Sequence, residues 1–155
     1  MFEKKMSKLQ KGFTLVELVV SLAVLGILMA VAATAYNDTG LAESNRLQSD
    51  VDKISKQAVK YASGGTFTGI SMALLCADEY LNVDVGGTAG DGTGANPWAG
   101  NYTISVATTS PNRFSVKATA VPTNIGPSVA KYYKNTARSV QYTPASKLFE
   151  LIFGT

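Results

Sequence analysis

The sequence predicts an α+β protein: one long N-terminal helix packed on a small antiparallel β-sheet. Three observations carry that reading. An apolar run of 23 residues, 13–35, holds a single charge, Glu17. A helical stripe continues beyond it, with no proline before Pro97. Two pairs of alternating apolar and polar runs then fill the second half of the chain, as half-buried strands do.

The helix is expected over about Phe13–Ala62. Its first half is apolar on all sides and long enough to cross a bilayer, which takes roughly 20 residues. In its second half Leu47, Val51, Ile54, Ala58 and Tyr61 recur at spacings of four and three, so they share one face. Asp50, Asp52, Lys53, Lys56 and Lys60 are expected on the other faces, with Asp52 and Lys56 in the favourable order for an ion pair. Gly64-Gly65 supplies the stop, and Gly26 and the Asn37-Asp38-Thr39-Gly40 stretch are the weak points. A short helix is expected from Gly69 to Tyr80, with Cys76 as a small buried hydrophobe. Gly86 to Gly100 is glycine-rich and reads as a loop. Tyr102–Val106 and Phe114–Ala118 form one hairpin across a turn at Thr108–Asn112. Pro122–Pro127 is a loop, Ser128–Lys134 a short helix, and Arg138–Tyr142 with Leu148–Phe153 a second hairpin around Pro144. The sheet is expected to close the core against the stripe from Leu47 to Tyr61.

Composition narrows the function. The 155 residues include no histidine, which removes Ser-His and Cys-His nucleophile pairs and imidazole metal sites. The single Cys76 removes internal disulfides and paired-cysteine zinc sites. Asn82, Asp84 and Asp91 do not match a calcium loop, because Thr93 stands where the closing glutamate belongs. No catalytic residue, cofactor or metal site is expected. Most common enzyme designs are thereby excluded.

The net charge of +3 resides in residues 1–12, where Lys4, Lys5, Lys8 and Lys11 face Glu3 alone. Lysines ahead of an apolar helix predict a cytoplasmic N-terminus, with everything after Tyr36 across the membrane. An ordinary secretory signal would instead be cut at Ala30-Val31-Ala32 or Ala33-Thr34-Ala35. Glu17 counts against that reading, since a carboxylate within an apolar segment costs a few kcal/mol.

Lys11-Gly12-Phe13-Thr14-Leu15-Val16-Glu17-Leu18, after a short basic leader and before an apolar helix, resembles the prepilin signal of type IV pilins and pilin-like proteins. The resemblance covers residues 1 to about 62. It implies a leader of residues 1–12, a transmembrane and filament-core helix at 13–35, and a globular head at 36–155, in a pilin-like fold. It implies cleavage between Gly12 and Phe13 by a prepilin peptidase that also N-methylates Phe13. It further implies residence in the inner membrane, then assembly into a homo-oligomeric helical filament outside the cell. That assembly is driven by inner-membrane machinery with a cytoplasmic ATPase. The major subunit of such a filament is the expectation, with a type II secretion pseudopilin or a minor pilin as the alternative. A secreted binding domain with a cleaved signal is the alternative from another class.

Phe13 and Glu17 are the expected assembly residues. Cleavage would free an α-amine on Phe13, and the Glu17 carboxylate needs a partner on its apolar surface. A neighbour's amine, reached by an axial stagger, would make the pair a register lock.

Asn96-Pro97-Trp98-Ala99-Gly100 followed by a hairpin is similar to the globular part of type IVb pilins and major pseudopilins. The C-terminal disulfide and the calcium loop of those relatives have no counterpart here. Only one cysteine exists, and no acidic residue occurs from Gly92 to Phe149. That acid-free stretch holds Arg113, Lys117, Lys131, Lys134, Arg138 and Lys147, whereas Tyr36 to Asp91 holds eight acidic and four basic residues. The polarity suits either complementary contacts between stacked subunits or a basic surface, with Tyr132, Tyr133 and Tyr142 nearby, that holds DNA or anionic glycans.

Overall fold

A computed structural model of the chain describes residues 13–77 and 81–154, and for 33–39 the backbone only. It divides into two compact units, with the boundary between Thr39 and Gly40. Helix α1 (Leu15–Ala62, 48 residues) contributes to both. Gly26 and residues 37–40 stay helical, so neither expected weak point breaks it. The helix ends where Ser63 and Gly64 take positive φ values of 44° and 85° and the Gly65 amide returns to the Ala62 carbonyl.

In the first unit, every side chain of the described apolar stretch is exposed. Leu15–Ala32 has a mean hydropathy of 2.6 and is long and apolar enough to cross a membrane. A core helix of a soluble domain would be buried instead.

The second unit contains the remaining elements. Helix α2 (Met72–Ala77) is shorter than expected; Ser71 caps it, its Oγ accepting the Leu74 amide at 3.2 Å. The expected residues Asp78, Glu79 and Tyr80 lie outside the described residues. A one-turn helix that the sequence did not suggest, α3 (Val83–Gly86), precedes the glycine-rich loop. Strands β1 (Tyr102–Ala107) and β2 (Ser110–Ala118) form the first hairpin. Its turn is tighter than expected: Ala107 pairs with Ser110, and Pro111 lies within β2. Proline is accommodated there because pairing of β2 with the last strand begins only at Arg113. Helix α4 (Gly126–Tyr133) starts two residues early, with Pro127 in its first turn. Strands β3 (Ser139–Thr143) and β4 (Leu148–Gly154) form the second hairpin.

The four strands are antiparallel in the order β1-β2-β4-β3. The alternation places Tyr102, Ile104, Phe114, Val116, Ala118, Phe149 and Leu151 on the buried face, joined in one core with Leu47, Val51, Ile54 and Ala58 of α1. The helical stripe and the alternating strands therefore meet as expected. Full burial of each large apolar side chain contributes about 1.5–3 kcal/mol. The other sheet face is mostly polar, and Lys117 lies opposite Glu150 in the ladder.

One placement differs from expectation. Asp50 lies on the buried side of α1, 2% exposed. The Tyr102 hydroxyl donates to its Oδ2 at 3.1 Å, and Arg46 and Lys53 approach it at 3.7 and 3.8 Å. Burial nevertheless dominates and holds the Asp50 carboxyl above the usual carboxylate range.

Candidate functional site

The described chain opens with Phe13, 83% exposed, then Thr14 and the first turn of α1. The Thr14 amide and the Thr14 hydroxyl both donate to Glu17 Oε2 at 2.9 Å. The Glu17 amide returns a bond to Thr14 Oγ1 at 3.3 Å. This is a reciprocal capping box of the form Thr-x-x-Glu, which satisfies donors that a helix start leaves open. The Thr14 carbonyl accepts the Leu18 amide at 3.2 Å as the first helical bond. A carboxylate at a helix N-terminus also faces the positive end of the helix dipole.

Glu17 thus has a structural partner within its own chain, which the sequence reading overlooked although Thr14-Leu15-Val16-Glu17 spells the motif. Both side-chain contacts fall on Oε2, so Oε1 is the oxygen offered to a further donor. Gly12, the expected residue before the cut, lies outside the described residues, as does the rest of the expected leader at 1–12.

The six expected basic residues do not form one surface. Lys117 is neutralised by Glu150 at 3.4 Å in the middle of the sheet, where Ser115 Oγ also donates to Glu150 at 2.6 Å. Arg113 is half-buried at the start of the β2–β4 pairing and is engaged there. Lys131, Lys134, Arg138 and Lys147 are exposed. The first two lie on and just after α4, the third just before β3, and the last in the β3–β4 turn. Of the three nearby tyrosines only Tyr132 is well exposed, at 54%. Tyr133 is fully buried, its single hydroxyl proton shared between Asp52 Oδ1 at 2.8 Å and the Gln48 carbonyl at 2.9 Å. Burial first, then Asp52, raises its phenol well above the ordinary tyrosine range. It is an anchor between α4 and α1 and not a stacking surface. Tyr142 is half-buried and donates to the Val121 carbonyl at 2.9 Å.

The Asn96-Pro97-Trp98-Ala99-Gly100 segment is structural as well. Asn96 Oδ1 accepts the amides of Trp98 at 3.0 Å and Gly100 at 2.7 Å, folding the loop around one buried side chain. Trp98 Nε1 donates to Glu43 at 2.6 Å and fastens that loop to α1. Cys76 is half-buried and not the buried hydrophobe expected, and burial followed by the Asp91 charge pushes its thiol pKa up.

The prokaryotic N-terminal methylation motif matches residues 7–33. The type IV major fimbrial protein FimA of Dichelobacter nodosus is 61% identical over 33 residues, which is 21% of each chain. A fimbrial protein of the same species shows the same identity over the same share. In strain VCS1703A, FimA matches at 61% over 33 residues, 21% of this chain and 20% of its own. The match therefore spans about a fifth of the length of these relatives. No solved structure matches the chain. The N-terminal segment has the sequence character of a type IV pilin.

Proposed function

We propose that this chain is a structural subunit of a type IV pilus, its major pilin, with no reaction of its own to catalyse. Residues 1–12 are the leader, 13–35 the membrane and filament-core helix, and 36–155 the head. A prepilin peptidase cuts between Gly12 and Phe13 and N-methylates Phe13. The subunit then waits in the inner membrane until the assembly machinery, with its cytoplasmic ATPase, moves it into a filament on the cell surface.

One observation carries this reading. The methylation motif at residues 7–33 coincides with an exposed apolar helix whose single ionisable side chain over Leu15–Ala32, Glu17, stands in its first turn. An apolar surface of that extent requires cover from lipid or from other copies. Cleavage at Phe13 creates an α-amine with a reference pKa of about 7.7–8.0, cationic over much of the neutral range. That amine on a staggered neighbour is the donor for Glu17 Oε1. A misplaced subunit leaves the charge without its counter-ion, so the pair selects register.

The test is the mature N-terminus of the protein in sheared surface filaments, read by mass spectrometry. A chain beginning at methylated Phe13 within those filaments is the expected result. A soluble extracellular protein beginning between Val31 and Tyr36 would replace this reading with that of a secreted binding domain.

A further inference from the structure

We infer that the head carries complementary faces at opposite edges of its sheet, and that the basic edge docks on the acidic edge of a second copy of this chain. The inference rests on the filament reading and names the surface by which neighbouring heads meet. In the order β1-β2-β4-β3 the first and third strands are the two edges. Helix α4 packs on β3, and α2 packs on both β1 and α3. The loop after α3 is fastened to the start of β1, since the Gly92 amide donates to the Gly86 carbonyl at 2.7 Å and the Tyr102 amide to the Gly92 carbonyl at 2.9 Å.

Exposed Asp84 and Asp91 therefore belong to the β1 edge, where Val83 stands 71% exposed beside them. Exposed Lys131, Lys134, Arg138 and Lys147 belong to the β3 edge, where Tyr132 is exposed. Among the described residues, none of these four cations has a carboxylate partner and neither aspartate has a cationic one. Lys117, by contrast, is neutralised by Glu150 near the sheet centre. Apart from Lys56 on α1, the exposed cations without a carboxylate partner named here lie at the β3 edge and the exposed aspartates without a cation at the β1 edge, each edge with one exposed apolar side chain.

Two like edges repel, which disfavours a face-to-face dimer. Unlike edges attract, and such a contact uses different patches on the two copies. A heterologous contact that does not close into a ring propagates as an open helical array. A polyanion would engage the basic edge alone and leave the acidic edge and Val83 without a role.

Charge exchange in filament-forming cells tests the inference. One variant carries Lys131→Glu with Lys134→Glu, a second Asp84→Lys with Asp91→Lys, and a third all four. The first two should each lower the yield of sheared filaments about tenfold while the processed membrane pool stays constant, and the third should recover to within about twofold of wild type. A third variant no better than the first two overturns the inference. So does a first variant that assembles normally but releases DNA from its filaments, which would assign the basic edge to a polyanion. Absence of the wild-type chain from filaments would sink the filament reading itself, an outcome separate from these.

Discussion

One substitution can separate the capping role of Glu17 from the role proposed for it in assembly. Its carboxylate closes the capping box with Thr14, and under the proposed assembly it also receives a neighbour's amine. Glu17→Gln keeps the first, because glutamine also serves in a capping box. The amide oxygen can still accept from the Thr14 amide and hydroxyl, both 2.9 Å from the carboxylate in the native chain. It removes the second, since a neutral amide provides no counter-charge to the amine. Breaking one partner of a buried ion pair costs about 3–5 kcal/mol. At about 1.4 kcal/mol per factor of ten, the subunit's tendency to enter filaments should fall by about two to three and a half orders of magnitude. Thr14→Ala is the converse: it deletes the cap hydroxyl at a cost of about 1 kcal/mol and keeps the charge. The assay compares sheared filaments with processed subunit in the membrane by immunoblot. Glu17→Gln should be cleaved normally and be nearly absent from filaments, while Thr14→Ala assembles to a substantial extent. Wild-type filament yield from Glu17→Gln would refute the charge argument. An equal loss from both variants would assign the effect to the cap alone.

Gly12→Val should leave full-length precursor in the membrane, because the peptidase must approach a backbone without a side chain; mature-size protein on a gel would contradict the cleavage site. Tyr102→Phe removes the donor to buried Asp50 and should cost about 1.5–3 kcal/mol in urea unfolding of the detergent-solubilised chain, less in an Asp50→Asn background. Because burial raises the folded carboxyl above its unfolded value of 3.8, the native state binds more protons through that window. Stability from Asp50 is therefore greatest below pH 3.8 and declines as pH rises through the folded value. Asp50→Asn should match or exceed wild type at pH 7, with the difference shrinking toward pH 4; an unchanged difference would refute the titration. Gly86→Ala would set a Cβ 2.5 Å from Cys76 Sγ and should destabilise by about 1–3 kcal/mol, with Cys76→Ala restoring part of the loss; additive effects in the double variant would refute the contact.

The periodic features were legible in the sequence. The Leu47–Ala58 stripe and the four alternating strands depend on spacing alone, and the core unites them. What depends on docking was not. Asp50 sits beside Val51 on the helix, and only the arrival of Tyr102 from 52 residues away gives it a partner on the buried side. Tyr133, grouped with the basic residues by sequence proximity, is drawn inward by Asp52 and the Gln48 carbonyl. Helix α3 has one turn, too short for any periodicity to show. The capping box was readable, yet it was obscured by the charge that the same residue brings into an apolar segment.

These inward polar ties explain how one helix serves two environments. Between Glu43 and Asp52, α1 holds three separate parts of the head. Glu43 and Arg46 take Trp98 and the Ala95 carbonyl of the loop, Asp50 takes β1 through Tyr102, and Asp52 takes α4 through Tyr133. A second unit so anchored closes its own core without a single described side chain from Leu15–Ala32. The apolar stretch is therefore not retained for the stability of the head. Its exposure is compatible with water only if something else covers it; under the proposed assembly that cover is first lipid and then further copies of the chain. Truncation before Gly40 should accordingly leave a soluble, cooperatively unfolding head that never enters a filament. A truncated head that aggregates or melts without a transition would show that the first half of α1 is needed for folding, and that its apolar character has an explanation other than assembly.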